Sequence, residues 1–270
     1  MSRKIEDIAV LHGIVLDMLK ALDAFCRENQ ITYFLSGGTA IGAVRDHGFI
    51  AWDDDADVMM PRRDYERFLA LWANEKNPRY CVDSIHTRAD WTLPFARIWD
   101  RQTRVVYHNL AEAETGMFID IYPMDGLPDS LRATKLHYAR VRLLNVCLFA
   151  SIRKRFKPDE KFIFPKKILA VIAHKIGSRR ICARIDRIAA KRDFDSANYV
   201  GCAVLSHYMA RERFPRSAFT GMNYVPFEDT RLPVPNGYDA YLSALYGNYM
   251  APPPPAARES EHHMDILTAD

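Results

Sequence analysis

Apolar residues recur at helical spacing over residues 5–29, where Ile5, Ile8, Leu11, Val15, Met18, Leu19, Leu22 and Phe25 share one face. That spacing predicts an amphipathic helix ending near Asn29. Residues 31–35 (ITYFL) change to β-branched and aromatic types, the pattern of a short buried strand. Ser36-Gly37-Gly38-Thr39 breaks that strand, and Ala40, Ile41, Ala43 and Val44 predict a helix starting at the glycines. Residues 55–60 (DADVMM) read as a second strand. Pro61 then opens a helix at a position proline tolerates. Tyr65, Phe68, Leu69 and Trp72 form its apolar stripe, which reads as core. Strands are expected at 80–85, 95–99 and 104–108, and another begins at Met117.

Residues 131–192 have a helical pattern, with two long helices broken around Lys157-Pro158-Asp159 and Phe164-Pro165. A buried strand is expected at 199–205, and an edge hairpin or long loop at 217–234. Tyr238, Leu242, Leu245 and Tyr246 predict a short helix stopping at Gly247, and Pro252–Pro255 end regular structure.

Composition narrows the class. With 270 residues and 49% apolar content, the chain is long enough to bury a substantial core, as one large domain or one domain with an elaboration. The net charge of +3 conceals a strong asymmetry. Residues 131–192 hold eighteen lysines and arginines against three acidic residues, a local +15 that leaves −12 for the remainder. Interleaved with Leu143, Phe149, Phe164 and Ile168, this basic segment suits an anionic membrane surface or polyanionic acceptor. A solvated basic face on a packed helical unit is the competing reading. No nucleic-acid recognition motif is present. The five cysteines are dispersed and form no C-x-x-C pair, which predicts reduced, cytosolic thiols without a disulfide framework or zinc site. Acidic residues in the first segment argue against a signal peptide, and no uninterrupted apolar run of about 18 residues predicts a membrane span.

The chemistry concentrates in residues 33–68, YFLSGGTAIGAVRDHGFIAWDDDADVMMPRRDYERF. Four aspartates (Asp53, Asp54, Asp55, Asp57) fall within five positions, and carboxylates this close repel one another. A divalent cation or a salt-bridge network must offset them. On a strand, Asp55 and Asp57 share a face and can grip Mg²⁺, which prefers oxygen ligands. Asp53 and Asp54 precede the strand as extra ligands, caps or turn residues; for Asp53 a structural role is favoured. The strand–Gly37-Gly38–helix junction offers free backbone N–H groups, an anion site, or else a plain tight turn. Asp120 interrupts an apolar strand, a costly position unless the carboxylate is paired or metal-bound. Asp125, before Gly126, reads as a turn residue.

The blocks GGTAIGAVRDHGFIAWDDDADVMMPRRDYERFL, FIDIYPMDGLP and PVPNGYDAYLSALYGNYMAPPP, followed by His262, resemble the LicD family of phosphocholine transferases. Its relatives include fukutin-related ribitol-phosphate transferases. The resemblance spans most of the chain outside the basic segment. It implies an α/β (α+β) fold of the nucleotidyltransferase type, a mixed sheet flanked by helices with a basic helical insertion. The expected division is a catalytic core over residues 1–130, the insertion over 131–198 and a segment completing the core over 199–270.

The resemblance further implies metal-dependent transfer of phosphocholine, or a similar alcohol phosphate, from CDP-choline or a related CDP-alcohol. The acceptor would be a hydroxyl of a cell-surface glycan, teichoic acid or lipopolysaccharide, with CMP released. Asp55, Asp57 and Asp120 become the catalytic and metal-binding carboxylates for Mg²⁺ or Mn²⁺, with Asp120 a ligand or a general base. Gly37, Gly38, Thr39, Arg45, Trp52, Tyr122 and His262 become substrate-binding. Arg45 would contact phosphate, and Trp52 and Tyr122 would face a quaternary ammonium. The expected location is the cytoplasm, at the inner face of the membrane through residues 131–192. A nucleotidyltransferase modifying a small molecule, and a non-catalytic membrane-associated glycan-binding scaffold, are the alternatives.

Overall fold

The computed structural model describes residues 3–156, 161–254, 258 and 264–268. The first helix, α1 (Ile8–Glu28), starts where the Asp7 carboxylate accepts the Ala9 N–H at 2.9 Å. Its buried stripe of Leu11, Val15, Met18, Leu19 and Leu22 rests on the central sheet. After it come β1 (Phe34–Leu35), α2 (Gly37–Ile41), a π turn over Gly42–Asp46, β2 (Asp57–Pro61) and α3 (Arg62–Trp72). Next are β3 (Tyr80–Asp83), β4 (Ala96–Asp100), β5 (Thr103–Tyr107) and the ten-residue β6 (Phe118–Leu127). Three helices follow, α4 (Leu131–Ser151), α5 (Ile163–Ile176) and α6 (Ser178–Ala189). The chain continues with β7 (Tyr199–Cys202), β8 (Phe214–Pro215), the hairpin β9 (Met222–Phe227) and β10 (Thr230–Pro235), α7 (Tyr238–Tyr246) and β11 (Met264–Thr268).

The fold is mixed α/β of the α+β kind. Seven strands form one sheet, with β1-β2-β6-β4-β3 as its main path and β7 and β8 branching from β6. Length explains the branch. The first half of β6 lies between β2, parallel, and β4, antiparallel, while its second half carries β7. The β2–β6 register sets Asp57 opposite Asp120. Two small antiparallel pairs, β9–β10 and β5–β11, lie apart from this sheet.

Local pattern located most elements, and tertiary pairing moved several boundaries. The second strand begins at Asp57, so Asp55 lies in the irregular segment before it and not on the strand. Pairing sets this start: β1 reaches only Met59 and Val58, and the register with β6 begins with Asp57 opposite Asp120. The helical segment comprises three helices instead of two. Gly177, at φ +89°, divides α5 from α6 in a conformation that favours glycine. Pro165 lies inside the first turn of α5, where its missing N–H costs little, and the expected break at Lys157-Pro158-Asp159 lies outside the described residues. Strand β11, after the proline run, was not expected.

Asp125 is also corrected. It belongs to β6, is fully buried, and accepts from both Nε and Nη2 of Arg62 at 2.7 Å. The Nη1 of Arg62 reaches Asp186 of α6 at 2.7 Å. Arg62 thus ties α3, the sheet and the helical segment together. Tyr138, Val141 and Leu148 of α4 meet Ile181 and Ile185 of α6 in a second core, which also takes in Trp91 and Phe95. Replacing Arg62 by Met is expected to destabilise the protein by about 3–5 kcal/mol, because it strands the buried Asp125. The check is urea unfolding, with Arg62→Met/Asp125→Leu regaining a large part of the loss.

Candidate active site

The site is built at the turn from β1 into α2. Gly37 has φ +55°, and a Cβ placed on it would lie 3.2 Å from Oδ2 of Asp57. A Cβ on Gly38 would lie 2.5 Å from Oδ2 of Asp53. Both glycines therefore make room for carboxylates. The same turn holds β2 in place. Ser36 N–H donates to the Asp57 carbonyl at 3.0 Å, and Asp57 N–H donates to Thr39 Oγ1 at 2.9 Å. The Gly37 N–H donates to the Tyr241 hydroxyl at 3.1 Å, which anchors the turn to α7.

The carboxylates converge around Asp57. Its carboxyl is held well above the ordinary carboxylate range, first by burial and then by repulsion from Asp55, Asp120 and Asp53; Arg97 opposes the shift. Asp53, Asp54 and Asp55 present oxygens that all lie within 4.8 Å of one another, the acidic cluster found among the described residues. Asp53, for which a structural role was expected, is part of this cluster. Its carbonyl also bonds His12 Nε2 at 2.7 Å. All these donors are oxygens, the set that suits a hard divalent cation.

Asp120 is buried and paired. Arg97 donates to it from Nε at 2.5 Å and from Nη2 at 3.3 Å. Arg97 also reaches Glu112 at 2.8 Å and the Tyr107 hydroxyl at 2.6 Å, and its guanidinium lies 3.7 Å from the Phe118 ring centroid. An arginine ringed in this way is fixed in position, and it fixes Asp120. The Tyr122 hydroxyl lies 3.4 Å from Oδ2 of Asp120.

A cavity of about 140 Å³ opens beside Asp57 and Gly37. Tyr122, Tyr208, Phe214, Tyr241 and Tyr246 line it, together with the buried Glu212. Burial pushes the Glu212 carboxyl up to about 7, although Tyr208 N–H donates to it at 2.8 Å.

The expected site residues divide accordingly. Gly37, Asp57 and Tyr122 line the cavity, and Gly38, Thr39, Asp55 and Asp120 support or surround it. Arg45 is directed elsewhere: it forms a two-point ion pair with Asp46 at 2.8 and 2.7 Å and reaches the Tyr249 carbonyl at 3.3 Å. Trp52 lies outside the cavity lining, with the Arg258 guanidinium 5.2 Å from its ring centroid. His262 lies outside the described residues. Sequence reasoning missed Arg97, Glu212 and the tyrosines of α7. An arginine in the apolar run 95–99 was the available signal for the first, and the α7 tyrosines were read only for their helical spacing.

Residues 30–170 match the family model described as LicD/FKTN/FKRP, nucleotidyltransferase domain. The chain is also 31% identical over 255 residues to the lipopolysaccharide cholinephosphotransferase LicD of Haemophilus influenzae, covering 92% of this chain and 93% of that protein. The chain belongs to the LicD family. The family match includes Asp53, Asp54, Asp55, Asp57 and Asp120 and ends inside α5, before Glu212 and α7.

The glycines of this LicD-family turn separate by what crowds them. Gly38→Ala is expected to keep the fold, since only the end of the Asp53 side chain must give, while disturbing the carboxylate cluster. Gly42→Ala places Cβ 2.4 Å from the Gly48 carbonyl oxygen, which is backbone. It is expected to cost about 1–3 kcal/mol. Thermal unfolding of both variants checks the contrast.

Proposed function

We propose that this protein transfers phosphocholine from CDP-choline to a hydroxyl of a lipopolysaccharide glycan, releasing CMP. The observation that carries the proposal is the 31% identity across 92% of the chain to a relative named for cholinephosphate transfer to lipopolysaccharide. The acidic pocket beside an aromatic cavity supports it. The acceptor oxygen attacks the phosphorus of the phosphocholine unit, forming a new P–O bond. The P–O bond to CMP breaks, CMP leaves with its electron pair, and the hydroxyl proton passes to the carboxylate set.

Asp55 and Asp57, with Asp53 and Asp54 alongside, fit Mg²⁺ or Mn²⁺. When bound, such a cation supplies charge neutralisation for a pyrophosphate. The residues do the positioning. Thr39 and Ser36 hold Asp57 by its backbone, and Arg97 holds Asp120 beside it. Phosphoryl transfer depends mainly on such placement and on charge complementarity.

Asp57→Asn is expected to lower CMP release from CDP-choline by at least about a thousandfold with little change in thermal unfolding, since the position is set by charge and not by packing. Phosphate-product analysis of the purified protein with lipopolysaccharide is the check. Undiminished turnover in the variant, or release of pyrophosphate from a nucleoside triphosphate instead of CMP, overturns the proposal.

The same reading places the enzyme on an anionic membrane surface, at the inner face. No helix of the described residues is long and apolar enough to cross a membrane. Helix α5 buries only Ala173 and exposes Phe164, Ile168, Val171 and Ile172 among lysines. A basic helix with uncovered apolar residues suits an interface of lipid headgroups. Sedimentation with vesicles containing phosphatidylglycerol is expected to retain the protein at low salt, with Phe164→Glu/Ile172→Glu releasing it. Equal binding of the variant would count against α5 as the contact.

A further inference from the structure

We infer that the cavity beside Asp57 seats a quaternary ammonium group among the rings of Tyr208, Tyr241 and Tyr246, with Glu212 as its counter-charge. This rests on the proposed phosphocholine transfer and locates the headgroup within it.

The lining argues for a cation carrying an apolar surface. Asp57 and Glu212 contribute carboxyl groups, His207 is the basic side chain of the lining, and no lysine or arginine belongs to it among the described residues. A phosphate would meet repulsion here. The five aromatic rings together with Met59, Met124, Leu205 and Leu245 make much of the wall apolar, which suits a cation with an apolar surface better than a strongly hydrated one. Aromatic faces attract a quaternary ammonium, which sheds its water cheaply.

The rings are arranged as a box. Tyr208 and Tyr246 stand nearly perpendicular with centroids 5.5 Å apart, and Phe214 and Tyr241 do the same at 5.1 Å. Arg211 lies 5.4 Å from the Tyr208 centroid without joining the lining, so a cation already rests against this ring. Size agrees as well. Cavities of about 150 Å³ accept a benzene-sized guest, and a trimethylammonium group is comparable. This cavity measures about 140 Å³.

Glu212 gives the box its charge. It is 7% exposed, and its carboxyl is pushed up by burial although the Tyr208 N–H donates to it. A buried carboxylate without a cation is costly, and a cationic guest offsets that cost. Asp57 adjoins the same cavity, so the two-carbon bridge of choline would run from the ring box towards the carboxylate cluster, where the phosphate belongs.

The test is calorimetric titration of the full-length protein with phosphocholine and with 3,3-dimethylbutyl phosphate, in which carbon replaces the ammonium nitrogen. The isostere keeps shape and phosphate and removes the positive charge. Phosphocholine is expected to bind at least about tenfold more tightly. Tyr208→Leu and Glu212→Gln are each expected to shrink that preference several-fold, and Tyr208→Phe to keep it. Equal affinity for the two ligands, or a preference unchanged in both Tyr208→Leu and Glu212→Gln, overturns the assignment. If Tyr208→Leu does not fold, Glu212→Gln decides alone. CMP release from CDP-choline separates the two claims. Release without a charge preference sinks the cage and leaves the transfer standing. A cage sensitive to these substitutions without any CMP release sinks the transfer and leaves the cage.

Discussion

The parallel register of β2 and β6 brings Asp57 alongside Asp120, and the local architecture is arranged to tolerate that approach. Two carboxylates on neighbouring strands repel strongly when they are taken out of water. The protein answers on one side with Arg97, clamped among Asp120, Glu112, Tyr107 and Phe118. On the other side it leaves Asp57 beside Asp53 and Asp55, with its carboxyl held above the ordinary range. The imbalance is local. Asp120 has its cation, Arg97, within the fold, and Asp57 keeps the raised carboxyl.

The glycine turn follows from the same constraint. Side chains at Gly37 and Gly38 would press on the carboxylates of Asp57 and Asp53. The glycines therefore permit the crowding before they permit any ligand. Tyr241 then fixes the turn from 204 positions away, so α7 belongs to the site as much as the loop does. The same tyrosine forms part of the cavity wall, which joins the acidic cluster to the aromatic cavity in one structure.

Away from the site, a second buried arginine does comparable work. Arg62 joins Asp125 in the sheet to Asp186 in α6, so the basic helices are tied to the central sheet by charge as well as by packing. The helical segment nevertheless leaves apolar residues uncovered on α5 (Phe164, Ile168, Val171 and Ile172) and on α4 (Leu136, Leu143 and Val146). Residues of α4 and α6 build much of the second core, to which α5 adds Ala173.

The sequence by itself determined the local features. Helical periodicity located α1, α3 and α7, alternation and prolines left 217–234 as a hairpin or a long loop, and residue blocks pointed to the LicD family. These signals are short-range, because propensity, turn chemistry and periodicity act over a few positions. The same blocks supplied Asp55, Asp57 and Asp120 as a set, although only pairing with β6 brought two of them together. Tertiary structure alone decided the rest. It began β2 at Asp57 and left Asp55 in the preceding loop, because pairing with β6 starts with Asp57 opposite Asp120. It turned Asp125 from an expected turn residue into the buried partner of Arg62. It directed Arg45 to Asp46 and covered Trp52 with Arg258, so neither reaches the cavity. It also assembled Tyr208, Glu212, Tyr241 and Tyr246 around Asp57. Charge pairing and cavity walls depend on distance through space, and separation along the chain does not encode that distance.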